Sequence, residues 1–381
     1  MVQASLRRPV PPPSRVSLSP KWLPPPPPDW LVRSVLWARE GLQRVLDRLT
    51  PPELMVLEKT AAQSSAFVLG ALVRAGVFDA LGEAPAEAAS LAAACGLDAD
   101  ALYRAMRALA SEGIFTLGPD GRFAHNAHSR VLKSGGVSRM AEWVNYWSSD
   151  SNQRAWRHFD ESLRTGRDAF SSAHGMSVWQ WFDAHPDERE NFAHCMMGLT
   201  ALSAPWVARR YPFDEVSSVC DVGGGRGILL SEILLRHPHL RGTLAEGAGV
   251  LASAEPLLAA RGVRGRCTLT EASFFEHVPP GSELYLLKNV LHDWGDAACV
   301  TILSRVAAAM TEGQRVLLCE APVPRVTHDR FGPMSDLQML VACEGGRERS
   351  LAELEALLAA AGFKKGRVFA GPVMSLVEGR R

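Results

Sequence analysis

The sequence predicts an α/β protein in two parts. A mainly helical N-terminal part carrying a winged helix precedes a domain built on a mostly parallel sheet with helices on both faces. Three observations predict this. From about residue 217 the chain alternates strand, loop and helix, the rhythm of a parallel sheet wrapped by helices. Upstream, residues 90–126 read as helix, turn, helix and hairpin. Between the two, "VCDVGGGRGILL" sets a run of glycines between a hydrophobic strand and a helix, where a ligand can approach the backbone closely.

Composition sets the outer bounds. The chain has 381 residues, enough for two or three domains and a sizeable core. Hydrophobic residues make up 47% and charged residues 22%, as in ordinary globular proteins. Lysine plus arginine and aspartate plus glutamate are both 41, so no global field would hold nucleic acid or an acidic membrane. Seven cysteines at 95, 195, 220, 267, 299, 319 and 343 form no C-x-x-C pair. That pattern fits a reducing, cytoplasmic setting and opposes both a disulfide frame and a thiolate zinc site. No transmembrane span and no signal peptide are expected.

Along the chain, residues 1–28 hold ten prolines, four basic residues and no acid, and read as a disordered, partly polyproline extension. Residues 29–49 read as one helix, with Leu31, Val35, Leu42, Val45, Leu46 and Leu49 at helical spacing and Asp29 as its cap. Thr50-Pro51-Pro52 stops it. Residues 53–205 read as mostly helical. Within them Ser90 is expected to cap a short helix that Gly96 ends, and Asp98 to cap a second helix carrying Leu102, Met106 and Leu109 on one face. A hairpin turned at Pro119-Asp120-Gly121 completes a winged helix. Strands are expected at 218–222, 243–246, 267–270, 284–288 and 315–320, with helices at 228–236 and 297–309. Two more strands joined at Gly371-Pro372 make seven. The expected organisation is thus 1–50 as extension plus helix, 51–205 as the helical and winged-helix domain, and 206–381 as the sheet domain.

The glycine loop carries the first chemistry. Asp221 ends the first strand of the sheet, and glycines at 223, 225 and 227 give G-x-G-x-G. A dinucleotide fingerprint would need glycine where Ile228 stands. An acid at the strand end repels a pyrophosphate but suits a ligand with cationic groups and no phosphates, such as S-adenosylmethionine. Glu246 ends the next strand, where a carboxylate accepts hydrogen bonds from a ribose diol.

Taken with "FFEHVPPGSELYLLKNVLHDWGD", "DLQML", "GGRERS", "LRTGRDAF" and "NFAHCMM" in order and spacing, the loop resembles the plant-type, acetylserotonin-like family of S-adenosylmethionine-dependent O-methyltransferases, over roughly residues 53–379. The resemblance implies a winged-helix domain that interlocks in a homodimer and lines the substrate pocket. It also implies a Rossmann-like methyltransferase domain and an aromatic small-molecule acceptor of secondary metabolism. In the cofactor site it places Gly223, Gly225, Lys288, Thr200 and Phe274, the last beside the adenine. Glu246 stands where the family usually has aspartate, and Ser273 where it usually has an aspartate at the adenine amino group. His292 matches the general base, with Glu320 and Glu348 as its flanking glutamates, and Met196, Met339 and Cys343 fall where the acceptor pocket is lined.

The chemistry agrees with this assignment. Methyl transfer from a sulfonium is an in-line displacement that asks the protein mainly to position two reactants. A phenol of pKa about 10 is a poor nucleophile at neutral pH, so a nearby imidazole helps. A carboxylate on its other nitrogen fixes the tautomer. No metal is expected. Two rivals stand beside this reading: a family member diverged to a non-methylating reaction, which would have lost the base, and a winged-helix DNA-binding regulator, which would carry a basic footprint.

Overall fold

The computed structural model describes residue 23, residues 25–327 and residues 331–381; most of the expected proline-rich extension lies outside the described residues. Among the described residues, Pro51–Ser149 form one compact unit, and those up to Thr50 with those from Asp150 onward form the other. The helices from Asp150 onward therefore group with the sheet, and the expected boundary at 205 falls inside the second unit.

The first unit contains the helix-turn-helix and hairpin. Helix Ala88–Cys95 ends at Gly96, whose φ of 70° is the left-handed conformation that closes a helix. Asp98 accepts a 2.8 Å hydrogen bond from the Ala101 amide and starts helix Ala99–Ser111, which buries Leu102, Met106 and Leu109. Strands β1 (Phe115–Leu117) and β2 (Phe123–His125) form the antiparallel hairpin. Ser90 does not cap its helix. Ala86 exchanges both backbone hydrogen bonds with Phe123, which holds the chain extended up to Glu87 and lets the helix begin at Ala88, two residues before the serine.

In the second unit, helix Asp29–Leu49 forms over the span that the periodicity predicts. Asp29 is its first helical residue and not its cap; the position before it is Pro28, and Asp29 Oδ1 instead accepts from Trp206 Nε1 at 2.8 Å. Arg33 donates to the Ala370 carbonyl at 2.9 Å. No residue of this helix is buried, and its apolar residues, among them Trp37 and Leu49, are exposed.

The sheet has seven strands: β3 (Ser218–Val222), β4 (Arg241–Glu246), β5 (Cys267–Glu271), β6 (Leu284–Lys288), β7 (Arg315–Glu320), β8 (Lys364–Ala370) and β9 (Ser375–Arg380). Their order is β5-β4-β3-β6-β7-β9-β8. The first five are parallel, and β9 runs antiparallel to both its neighbours. Both faces of the sheet are covered, so β6 reads as an unbroken apolar run. Leu284 and Leu286 pack in one core cluster, and Tyr285 and Leu287 in the other. Leu286→Ala opens a cavity in a fully buried position and is expected to cost about 3 kcal/mol, seen as a lower midpoint in chemical unfolding at unchanged m-value.

This order positions the site. From β3 the chain moves outward to β4 and β5, then returns to lay β6 on the other side of β3. Such a reversal leaves a crevice at the carboxyl ends of the strands. Asp221, Glu246, Lys288 and Glu320 all lie at those ends.

Candidate active site

The glycine loop leaves β3 with Gly223, Gly225 and Gly227 all left-handed, at φ of 68°, 57° and 77°. The last opens helix Ile228–Arg236. Gly224 is required for a different reason. A methyl group built there lies 2.5 Å from Asp221 Oδ2 and 2.7 Å from Leu244 Cδ1, so the loop folds down onto the acid. Asp221 is buried, and neither carboxylate oxygen has a hydrogen-bond partner among the described residues. Burial, with Glu246 nearby, pushes its pKa up to about 7, and Lys288 opposes the shift. Glu246 accepts from the amides of Gly225 at 3.0 Å and Gly247 at 2.9 Å. Each of its oxygens keeps a lone pair for another donor.

A buried acid without a partner and a half-buried acid on the adjacent strand end make a receptor for a cation. The residues therefore fit S-adenosylmethionine and not a pyrophosphate. Phe274 closes one side, since a Cβ on Gly223 would touch its ring at 3.3 Å. Phe274 also meets Trp294 edge-on at 6.2 Å, and Trp294 stacks on Trp179 at 5.8 Å. Ser273 precedes Phe274 and is half-buried. Lys288 Nζ donates to Thr200 Oγ1 at 3.2 Å, tying the end of β6 to helix Pro186–Arg210. Burial pulls the Lys288 pKa down, with Cys319, Glu320 and Asp221 opposing.

Beyond Lys288 the chain turns through Asn289, a left-handed non-glycine residue at φ 52°, into the short helix Leu291–Asp293. This turn delivers His292. Its Nδ1 lies 3.2 Å from Glu348 Oε1, and its Nε2 lies 3.6 Å from Asp293 Oδ1. Glu348 is held in turn: Ser335 Oγ donates to the same Oε1 at 3.0 Å, and the Glu348 amide donates to Asp336 Oδ1 at 2.8 Å. Arg347 pairs with Glu353 and Arg349 with Asp296, so neither arginine takes the Glu348 carboxylate.

Glu320 sits differently from Glu348. Its Oε1 accepts from the Leu291 amide at 3.2 Å and its Oε2 has no partner among the described residues, so it supports the turn beneath the histidine and makes no hydrogen bond to the ring. Burial drives its pKa up to about 7 and that of Asp293 up to about 6, His292 opposing in both. For His292 burial works downward, but Asp293, the Glu348 hydrogen bond and Glu320 outweigh it and raise the pKa to about 10. One ligand atom from each of His292, Glu320 and Glu348 falls within 4.8 Å of the others, a grouping that could also hold a metal ion.

Cys343 Sγ lies 3.8 Å from Asp293 Oδ1. Met339 is one helical turn before Cys343, and Met196 one turn before Thr200; both methionines are half-buried. The residues expected beside the cofactor and those around His292 thus gather at the carboxyl ends of the parallel strands. Ser335, Asp336 and Arg349, which brace the histidine and its glutamate, had no individual signal in the sequence; Ser335 and Asp336 lie on a separate helix, Phe331–Ala342, and their role appears only once that helix is folded against residue 348. All seven cysteines are free, and among the described residues no helix is long and apolar enough to cross a membrane.

Comparison with known proteins follows the same division. The O-methyltransferase domain family matches residues 156–364, and the O-methyltransferase dimerisation domain family matches residues 57–135. The mitomycin biosynthesis 6-O-methyltransferase of Streptomyces lavendulae is 39% identical over 316 residues, covering 81% of this chain and 89% of that protein. The solved structure of the mitomycin 7-O-methyltransferase MmcR is 37% identical with a TM-score of 0.81, covering 86% of this chain and 97% of that one. NcsB1, an O-methyltransferase from neocarzinostatin biosynthesis solved with S-adenosylmethionine and 2-hydroxy-5-methyl naphthoic acid, is 31% identical with a TM-score of 0.72, covering 83% and 95%.

Proposed function

We propose, from the premise that this chain belongs to the O-methyltransferase family and takes S-adenosyl-L-methionine as its cofactor, that it methylates a phenolic hydroxyl of an aromatic secondary metabolite with His292 as general base. When bound, the cofactor supplies an activated methyl group on a sulfonium. Everything else is the work of this chain. Asp221 and the glycine loop receive the cationic end, Glu246 accepts from the ribose hydroxyls, Ser273 and Phe274 meet the adenine, and Lys288 with Thr200 closes the carboxylate side.

The observation that carries the reading is the 3.2 Å contact between His292 Nδ1 and Glu348, within four residues of Lys288. With its Nδ1 proton committed to the carboxylate, the imidazole presents Nε2 as the acceptor of a phenolic proton. The entering hydroxyl displaces Asp293 from that nitrogen. In the free site Asp293, the Glu348 hydrogen bond and Glu320 raise His292 to about 10; with Asp293 displaced, the two glutamates still hold it above a free imidazole, which favours its taking the phenolic proton. The reactive state carries one proton fewer than the resting imidazolium, so turnover rises with pH well above 6.5. Met196, Met339 and Cys343 line the acceptor side. The 51–205 segment contributes the dimer and pocket walls, and 206–381 the cofactor site, in a homodimer.

Incubation with methyl-labelled S-adenosylmethionine and a panel of phenols, aryl amines and phenolic extracts, with and without EDTA, tests the reading. A labelled aryl ether, formed equally with EDTA, supports it; label only on nitrogen, or loss of turnover with EDTA, overturns it. Glu246→Ala is expected to weaken cofactor binding about 30-fold by calorimetry, as it removes a ribose acceptor and the anchor of two loop amides. Unchanged affinity would mean the ribose is held elsewhere.

A further inference from the structure

Arg349 is a buried cation, 2% exposed at its side chain, one residue from Glu348. Its Nη1 donates to the Leu291 carbonyl at 2.7 Å and its Nη2 to the Trp294 carbonyl at 2.7 Å. These carbonyls lie on either side of His292 and Asp293. The same guanidinium reaches Asp296 Oδ1 through Nε at 3.0 Å and Nη2 at 2.7 Å. The third carbonyl of the loop, that of His292 itself, accepts from the Arg347 amide at 2.8 Å. Behind them Gly345 packs so closely on Gly295 that a Cβ at 345 would come within 2.9 Å of the Gly295 Cα.

We propose that Arg349 is a positioning residue for the base: its forked donors lock the loop on both sides of His292 to the strand of chain that carries Glu348, and so set the distance between imidazole and carboxylate. An ordinary ion pair does not explain the arrangement. Asp296, its one carboxylate partner among the described residues, is 65% exposed at the side chain, whereas the bond to the Leu291 carbonyl is buried and that to the Trp294 carbonyl partly buried. A lysine could reach Asp296, but a single ammonium cannot span two carbonyls facing one planar fork. The proposal rests on the reading of His292 as base.

The test compares Arg349→Lys and Arg349→Met with wild type and His292→Ala. Both Arg349 variants are expected to lose kcat, about 10-fold for lysine and about 100-fold for methionine, the scale of a misplacement of about 1 Å. Calorimetric affinity for S-adenosylmethionine should stay within about threefold in both. The midpoint of the rise of kcat with pH should move to lower pH, because an imidazole that drifts from Glu348 loses part of what raises it. Simple removal of a positive charge near His292 would move it the other way. If methionine prevents folding, as thermal unfolding would reveal, the lysine variant carries the test alone. Retention of kcat within about threefold with an unmoved midpoint, or a loss of cofactor affinity as large as the loss of kcat, overturns the proposal. Turnover surviving in His292→Ala would instead overturn the reading beneath it.

Discussion

His292→Ala is expected to lower kcat about 1,000-fold while calorimetric affinity for S-adenosylmethionine stays within about threefold of wild type. The size follows from what is lost. An acceptor phenol must shed its proton as the methyl arrives, and general-base assistance to such a step contributes about 100- to 10,000-fold. The cofactor term is spared because Asp221, Glu246 and Lys288 sit on β3, β4 and β6 before the chain reaches the histidine. The pH profile should change with the rate. In wild type the rise of kcat tracks the raised His292; in the variant it should follow the ionisation of whichever phenol is supplied, and move when a more acidic phenol is used. The variant also leaves Asp293, Glu320 and Glu348 without their cation. Asp293 and Glu320 are already raised by burial and held down by His292, so they climb further. A group whose folded pKa lies above its unfolded value loses its stabilising contribution as pH rises. His292, raised to about 10, obeys the same rule, so wild type loses stability between about pH 6.5 and 10 through a group that the variant lacks, and the two losses oppose each other when variant and wild type are compared. A large loss of cofactor binding with turnover spared would sink the base assignment.

The second large effect is expected at Gly224. Gly224→Ala forces a methyl into the Asp221 carboxyl and Leu244, both buried, so the loop must rise or the acid must turn. Overpacking of this kind costs about 1–3 kcal/mol of stability. Moving the loop also breaks the Gly225 amide from Glu246, so cofactor affinity should drop at least about 100-fold. Gly249→Ala is the control: it lies in helix Ala248–Ala260, nothing stands within 4 Å of its built Cβ, and the change should be neutral or slightly stabilising. Equal effects at both positions would mean that helix propensity, and not the fold of the loop over Asp221, governs the result.

Much of this architecture was legible in the residues. β3, β6 and β7 announce themselves as largely apolar runs and begin and end where the pattern places them, whereas β4 starts two residues before the expected 243 and β8 opens on Lys364-Lys365-Gly366-Arg367. The glycine loop is legible because left-handed turns leave few alternatives to glycine. Caps are less so. Asp29 and Ser90 have the right chemistry to cap, yet one serves Trp206 and the other is overtaken by the pairing of Ala86 with Phe123, both long-range events. The same limit holds at the base. The motif marks His292, Glu320 and Glu348 alike, but only the folded chain separates a glutamate that touches the imidazole from one that holds a backbone amide. Ser335, Asp336 and Arg349 are ordinary polar residues until helix Phe331–Ala342 and the segment after it come to rest against the loop.

The reversal in strand order has a bearing on how such a protein can change. From Asp221 to His292 the residues proposed for the donor side, Thr200 apart, and the proposed base are encoded in one uninterrupted stretch, because β3, β4, β5 and β6 follow one another in the chain while fanning out on both sides of the crevice. The side chains proposed for the acceptor come from elsewhere: Met196 from a helix before that stretch, Met339 from one after it, and Cys343 from just beyond that helix's end. A lineage can thus rewrite its choice of acceptor in two flanking segments while inheriting most of the proposed methyl-donor machinery, Thr200 being the position where the two overlap.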